Sequence, residues 1–389
     1  MTRNIAIFGS TGSIGVNTVN IIKKSVNKFN VEILLAHSNV DLLAEQAIEL
    51  NPKYVGIIDE TKLEKLRLLL KNTNIKIVYG AQAASELAKI QVDLSVMAIV
   101  GAAAILPTIN AIKSGNNIAL ANKECLVCAG SIIMKLVKMH KVRIIPVDSE
   151  HNGLFQVFDH KHPELVKDIT LTASGGPFRE YSLEQMQHVT KAQALKHPNW
   201  LMGAKISIDS ATLINKCLEI IEAYHLFPVS AQQIKMVIHP ESIMHALVTY
   251  QDGSMLAQLS KPNMQIPISY ALYYPDRGVL EDFNQINMFE MGSLNFYEPD
   301  KSKFTSLKIL DSILTSMEGN AALVFNIANE EAVDAFLKDQ ITFSQITNVI
   351  EEILSQIPFK QLNSINEIFE HIELVKQKTL AYINKISLI

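Results

Sequence analysis

Asp148 and Glu150 stand two residues apart in PVDSEHNGLFQ, directly after the apolar run RIIPV. At a strand end, side chains at i and i+2 project to the same side. Two converging carboxylates repel each other unless a cation or a proton lies between them. Oxygen donors of this kind suit Mg²⁺ or Mn²⁺ better than a structural zinc. Alone, such a pair more often marks a solvated turn. A third oxygen donor comes from IDSATLINKCLEIIEAYHLF, read as a long helix from about Ser210 to His225. There Thr212, Asn215, Lys216 and Glu219 fall at i, i+3, i+4 and i+7, one polar stripe opposite Leu213, Cys217, Ile220 and Ile221. A polar stripe is usually the wet face of a helix. This one joins an amide, an ammonium and a carboxylate to Ser210 near the helix start, a set suited to a phosphate beside a metal. SGGPFR adds Ser174 and two glycines whose amides can face an anion. HPNWLMGAKIS adds His197 and Trp200 in a glycine-containing loop able to cover a substrate.

A second kind of chemistry opens the chain. In NIAIFGSTGSIGVNTVNII, Gly9, Gly12 and Gly15 follow a strand and begin a helix. Gly9 permits the tight turn, Gly12 lets the backbone approach a pyrophosphate, and Gly15 allows close helix–strand packing, with the helix N-terminus facing the anion. The strand–loop–helix setting separates this triplet from a chance one. The second strand ends in His37, Ser38 and Asn39 instead of the Asp or Glu that binds an NAD ribose. The missing carboxylate removes repulsion toward a 2′-phosphate, yet no Arg or Lys is present there, so the spacing leans to NADP without settling it.

The elements that must hold these groups alternate through the first third. NIAIF (4–8), VEILLA (31–36), YVGII (54–58), IKIVY (75–79), LSVMAIV (94–100), NIALA (117–121) and RIIPV (143–147) are continuous apolar runs, as in strands buried on both faces. Residues 41–50 and 63–70 show helical spacing between them. The alternation predicts an α/β, doubly wound, Rossmann-like domain over residues 1–147. Residues 148–281 read as an α+β catalytic domain with strands at 235–238, 245–250 and 254–259. Residues 282–303 read as a connector. Residues 304–389 read as an all-α bundle broken at Pro358.

Bulk properties exclude several classes. At 389 residues the chain exceeds one comfortable core, so two or three domains are expected. A formal charge of −4 argues against a nucleic-acid partner. Three cysteines are too few for a disulfide scaffold and fit a reducing compartment. The C-x-x-C of Cys125 and Cys128 lacks a second pair or a redox context and reads as coincidence. The start, MTRNIAIFGSTG, leaves no room for a targeting peptide. Apolar stretches such as 96–109 contain Gly and Pro and fall short of the ~18 residues of a membrane span. A cytoplasmic protein without a membrane partner is expected.

The motifs GSTGSIG, AIVGAAAILPT, LANKE, PVDSEHN, SGGPFR, HPNWLMGAKISIDSATLINKCLEIIEA and NIANEEAV, in this order, resemble those of the 1-deoxy-D-xylulose 5-phosphate reductoisomerases. The resemblance covers essentially the whole chain. It implies a V-shaped, three-part homodimer that rearranges 1-deoxy-D-xylulose 5-phosphate to an aldehyde by retro-aldol cleavage and re-aldolisation. NADPH then reduces the aldehyde to 2-C-methyl-D-erythritol 4-phosphate in the non-mevalonate isoprenoid pathway. The resemblance implies that Asp148, Glu150 and Glu219 ligate Mg²⁺, Mn²⁺ or Co²⁺, with Ser149 beside the ion and Lys123 near the reacting oxygens. It also implies that Ser174, Ser210, Asn215 and Lys216 contact the phosphorylated sugar, and that His197 and Trp200 belong to a mobile lid. On the cofactor side it implies Gly9, Thr11, Gly12, Ser13, Ile14, Gly15, His37, Ser38, Asn39, Asn122, Glu124, Met202, Gly203 and Met264. His245 matches a histidine near the site with no role derivable from sequence.

Two positions depart from the family pattern. His37-Ser38-Asn39 stands where relatives often carry Gly-Lys-Asn or Gly-Arg-Asn, which predicts a narrower preference for NADPH over NADH. Cys125 replaces a common Ser. Two other readings compete. A plain NADP-dependent dehydrogenase or semialdehyde reductase has no use for three carboxylates together. A dinucleotide sensor or scaffold predicts no dense polar constellation away from the nucleotide.

Overall fold

The computed structural model describes residues 2–196, 200, 203–279 and 285–387. His197 and Met202 lie outside the described residues. The chain divides into two compact units, the first taking in Met1–Cys125, Ile133–Phe155 and Asn263–Asn284, the second Leu126–Ile132, Gln156–Pro262 and Gln285–Ile389.

In the first unit strands and helices alternate: β1 (Arg3–Phe8), α1 (Ser13–Lys24), β2 (Phe29–Ala36), α2 (Val40–Leu50), β3 (Tyr54–Ile57), α3 (Leu63–Leu69), β4 (Lys76–Tyr79), α4 (Ala83–Leu87), β5 (Leu94–Met97), α5 (Ile105–Lys113), β6 (Asn117–Leu120), α6 (Glu124–His140), β7 (Ile144–Pro146) and the start of α7 (Ser149–Val157). The seven strands are all parallel in the order β4-β3-β2-β1-β5-β6-β7. Each apolar run becomes a strand because both faces are covered; Ile5, Ala6, Ile7 and Phe8 have no exposed surface. The run 94–100 yields a shorter strand, with Ile99 and Val100 in the loop beyond it. Strand order reverses between β1 and β5, which opens a crevice at the carboxyl ends of those strands.

The second unit continues with β8 (Val166–Ala173), α8 (Leu183–Gln187), α9 (Lys191–Ala194), α10 (Ala204–Ala211), α11 (Ile214–Leu226), β9 (Ile234–Ile238), β10 (Met244–Tyr250) and β11 (Met255–Leu259). These strands form a four-stranded sheet in the order β11-β10-β8-β9, with β8 and β9 parallel and the other pairs antiparallel. Helix α12 (Gln265–Tyr273) falls in the first unit; α13 (Met288–Met291), α14 (Thr305–Leu314), α15 (Ala321–Leu337), α16 (Phe343–Gln356) and α17 (Ile365–Ile386) complete the second. Among the described residues no helix is long and apolar enough to cross a membrane.

Three features differ from the sequence reading. Strand β8, interior to its sheet, was not anticipated, because Lys167, Asp168 and two threonines interrupt its apolar pattern. The helix expected over Ser210–His225 is two helices, broken where Leu213 takes a left-handed conformation (φ 59°). The Thr212 hydroxyl turns back to donate to Ile208 O (3.0 Å) and Asp209 O (3.2 Å), and no Gly or Pro marks the break. Residues 263–279, within the segment expected over 148–281, pack with the first unit. Arg3 donates to Leu272 O (2.7 Å), Tyr273 donates to Ser25 Oγ (2.8 Å), and Ile268, Ala271 and Leu272 join the core of Ile5, Ile7 and Val19.

The cysteines are buried in these cores. Cys125 Sγ lies 3.6 Å from Thr108 Oγ1, Cys128 Sγ accepts from Asn326 Nδ2 (3.4 Å), and Cys217 donates to Ser306 O (3.5 Å). Burial pushes the Cys217 thiol up and disfavours a reactive thiolate.

Helix α6 bends at Ala129 (φ −135°), and the next residue, Gly130, lies so close to His225 that an added Cβ would meet the imidazole at 2.4 Å. Burial lowers the His225 pKa to about 4. The unfolded chain, with an ordinary histidine near 6.5, therefore binds more protons between those values. Stability from this site is complete above about pH 6.5 and is lost as pH falls toward 4, by up to roughly 3 kcal/mol. Urea midpoints at pH 7 and pH 4.5 should fall further in the native protein than in His225→Phe; equal falls would contradict this.

Candidate active site

The crevice of the first unit begins with the turn after β1. Gly9 (φ 91°) could carry no side chain, since a Cβ would lie 2.5 Å from Ala98 O, and a Cβ on Gly15 would lie 2.2 Å from Gly9 O. Both glycines are thus required by the packing of the turn itself. Gly12 differs. Its φ of −79° suits any residue and an added Cβ meets only Gly9 O at 3.4 Å, so the chain itself does not demand a glycine there. Gly12 and Ser13 are exposed, Thr11 and Ile14 half-buried, and no side chain caps α1. The first-turn amides are left for an anion.

After β2, His37, Ser38 and Asn39 are exposed, and Asn39 Oδ1 accepts from Leu42 N (3.3 Å) as the cap of α2. After β6, Asn122 is buried with its amide spent on the protein. Its Nδ2 donates to Ile99 O (2.8 Å) and Gly101 O (3.0 Å), and its Oδ1 accepts from Cys125 N (2.8 Å). Asn122 thereby clamps the loop after β5 to the start of α6, where Lys123 and half-buried Glu124 stand. Ile14 and Met264 are half-buried and both pack against the core of this unit.

Lys123 reaches across to the end of β7, its Nζ 2.6 Å from Asp148 Oδ2. His151, wholly buried, places Nδ1 3.8 Å from Asp148 Oδ1. Burial alone would push the Asp148 carboxyl up; the Lys123 ammonium and His151 outweigh it and hold the group well below the usual carboxylate range. Ser149 Oγ donates to Glu150 Oε2 (2.6 Å). Asp148 is therefore an ionised oxygen donor just beyond β7, with Glu150 in the first turn of α7 and the Lys123 amine beside it.

In the second unit the charged cluster sits on α11. Asn215 Nδ2 and Lys216 Nζ each donate to a different oxygen of Glu219. Glu219 is 1 % exposed and Lys216 3 %. The stripe is not a wet face: Thr212 is buried ahead of the helix, and Leu213, Cys217, Ile220 and Ile221 fill the other side as expected. Several kcal/mol are lost for each ion taken out of water, and only close pairing recovers it.

Ser210 lies in the last turn of α10 and Asn215 in the first turn of α11, on either side of the break. The turn Ser174-Gly175-Gly176 presses against it, for a Cβ on Gly176 (φ 69°) would lie 2.6 Å from Ser210 O. Three contacts that sequence reasoning missed hold this elbow. Lys205 Nζ lies 2.7 Å from Asp209 Oδ2, Asn329 Nδ2 donates to Asp209 Oδ1 (2.8 Å), and Ser306 Oγ donates to Thr212 O (2.7 Å). The Lys205–Asp209 spacing was visible in KISID; partners 120 and 94 residues away were not. Trp200 packs edge-on to His245, ring centroids 6.2 Å apart, and His245 Nε2 lies 3.2 Å from Ser260 O. That contact gives His245 a place. Gly203 precedes α10 in open space.

Family models of the 1-deoxy-D-xylulose 5-phosphate reductoisomerase match residues 5–130, and models of its C-terminal domains match 144–227 and 259–378. The chain is 46 % identical over 369 residues to the enzyme of that name from Wolbachia pipientis subsp. Culex pipiens, covering 94 % of each. It is 42 % identical to that of Acinetobacter baumannii, covering 99 % of this chain and 100 % of the relative. The structure superposes on the Zymomonas mobilis enzyme in complex with NADPH with a TM-score of 0.93 at 36 % identity, covering 98 % and 99 % of the two chains. It superposes on a reductoisomerase complex with NADPH, fosmidomycin and magnesium with a TM-score of 0.91 at 37 % identity, covering 98 % of both.

The elbow makes a direct prediction. Asn329→Leu leaves the buried Asp209 carboxylate to Lys205 alone, and should cost about 1–3 kcal/mol of unfolding free energy. Chemical denaturation checks this; a midpoint unchanged from the native protein would mean Asn329 is packing only.

Proposed function

The chain belongs to the 1-deoxy-D-xylulose 5-phosphate reductoisomerase family, and from that premise we propose how its residues share the reaction. It is an NADPH- and metal-dependent oxidoreductase that isomerises and reduces 1-deoxy-D-xylulose 5-phosphate to 2-C-methyl-D-erythritol 4-phosphate in the non-mevalonate isoprenoid pathway. The assignment leans most on one observation: Glu219, a carboxylate almost wholly buried, is held in place by Lys216 and Asn215.

The donors fit a hard divalent ion. Asp148, Glu150 and Glu219 offer carboxylate oxygens only, and Asp148 stays ionised through Lys123 and His151. Bound there, the ion would supply Lewis-acid stabilisation of charge developing on the substrate oxygens, while NADPH supplies the hydride. Mg²⁺, Mn²⁺ and Co²⁺ all suit such donors. Ser149 sits beside these ligands and fixes Glu150. Lys123 keeps a positive charge next to the reacting oxygens as the carbon–carbon bond breaks and re-forms.

Ser174, Ser210, Asn215 and Lys216 hold the phosphate of the substrate. The elbow between α10 and α11 sets their spacing, and Lys216 supplies the charge. Trp200 belongs to the cover over the substrate, where it excludes water. The turn Gly9–Gly15 seats the pyrophosphate of NADPH, with Thr11, Ser13 and Ile14 along it. His37, Ser38 and Asn39 face the adenosine ribose, and Glu124, Gly203 and Met264 border the nicotinamide half. Asn122 serves that side through the loops it clamps. By segment, 1–147 serves mainly the cofactor, 148–281 catalysis apart from α12, which packs with the first unit, 282–303 connection and 304–389 support.

A homodimer is supported by β11, an edge strand with Met255 and Leu256 59 % and 51 % exposed, the kind of edge that invites pairing. We place the enzyme in the cytoplasm with no nucleic-acid or membrane partner.

Glu219→Gln keeps the shape and removes a charge. Metal affinity should weaken and kcat should drop roughly 10²-fold or more, the scale of one lost electrostatic stabiliser. Near-normal turnover at saturating metal would remove Glu219 from the ligand set. The ribose turn makes a separate prediction: kcat/KM should favour NADPH over NADH by a reduced margin, and Ser38→Lys should widen it. A margin unmoved by Ser38→Lys would place the 2′-phosphate elsewhere.

A further inference from the structure

We propose that Gln46 is a positioning residue for the cofactor, a strut that sets the pyrophosphate turn from the helix behind it. Gln46 lies on α2, 4 % exposed, and its Nε2 donates to Ser10 O (2.9 Å), 36 residues away in sequence. The orientation of the amide follows from this bond, since only its nitrogen can donate to a carbonyl. Gln46 Oε1 and Ser10 Oγ are buried with no hydrogen-bond partner. The Gln46 amide therefore holds the turn through a single donated bond.

The rest of the turn is held by backbone. Gly9 N and Ser10 N both donate to Leu35 O, at 2.8 and 2.9 Å, and Gly15 brings α1 against Ser10, where an added Cβ would lie 2.5 Å from Ser10 Cα. Gln46 supplies the side-chain restraint on the carbonyl side of that peptide. It also stands seven residues after Asn39, the cap of α2, hence about two turns along the same face. One helix thus has its first residue at the ribose turn and its middle bonded to the pyrophosphate turn.

The bond reaches the turn shared by both nicotinamide cofactors, so its loss should weaken NADPH and NADH by one common factor. The inference rests on the glycine turn being the pyrophosphate seat. A control separates the two: Gly12→Val adds a side chain where the turn leaves room for a Cβ, 3.4 Å from Gly9 O, and stands in that seat. If Gly12→Val leaves NADPH affinity intact, the seat itself is misplaced; if it weakens NADPH while Gln46 variants do not, the strut alone fails.

Gln46→Met keeps the side-chain volume and removes the donor, and Gln46→Asn withdraws the donor by one methylene. Dissociation constants for NADPH and NADH are measured by cofactor fluorescence on the full-length, metal-loaded enzyme, together with KM for 1-deoxy-D-xylulose 5-phosphate at saturating NADPH. Both variants should bind both cofactors about five- to twenty-fold more weakly, as for one lost buried hydrogen bond. The substrate KM should stay within about two-fold. Changes in cofactor affinity below about two-fold, a loss confined to NADPH, or a matching rise in substrate KM would each overturn the proposal.

Discussion

A carboxylate taken out of water must be answered by nearby charge or hydrogen-bond donors, and Glu219 imposes that requirement on the second unit. Lys216 and Asn215 answer it from the same helix, which fixes α11 as a rigid platform and leaves no ordinary solvent-facing side on it. The platform in turn needs a defined start. Leu213 gives it one by leaving the helical conformation, and Ser306, Asn329 and Lys205 hold the residues on either side. The C-terminal helices α14 and α15 thereby hold in place residues about a hundred positions earlier.

The first unit meets the same requirement by different means. Asp148 ends a parallel strand, where the sheet places functional loops in any case, and Lys123 from the neighbouring strand end neutralises it. Asn122 makes that cation's position definite by tying two loops together through three backbone contacts. In both units the charged residues are short of water and rich in partners. This arrangement fixes carboxylate oxygens in place, and fixed oxygen donors are what a hard divalent ion needs.

Much of this was legible in the sequence, for physical reasons that can be named. The seven parallel strands announce themselves because burial on both faces demands unbroken apolar runs. Gly9 and Gly15 are readable because the turn tolerates nothing else. Asp148, Glu150 and Glu219 are visible as carboxylates after an apolar run and on a polar helix stripe, but the burial of Glu219 is not. What was not legible depends on distant partners or on conformation without a local marker. The break at Leu213 has no Gly or Pro; β8 hides its pattern behind Lys167 and Asp168; Asn329 and Asp209 are neighbours only in the fold. Residues 263–284 were read as a continuation of the middle of the chain, although their helix completes the first core.

The central claim is that the carboxylates from the end of β7 and from α11 serve one metal-dependent reaction on a phosphorylated sugar. The most direct test is NADPH oxidation at 340 nm with 1-deoxy-D-xylulose 5-phosphate, run with Mg²⁺ or Mn²⁺, again after complete chelation, and once more after metal is restored. The account predicts turnover with metal, its loss on chelation and its recovery on restoration. Turnover that persists without metal would contradict it and favour a plain dehydrogenase on the same fold. Absence of turnover from folded, metal-loaded protein would contradict it as well.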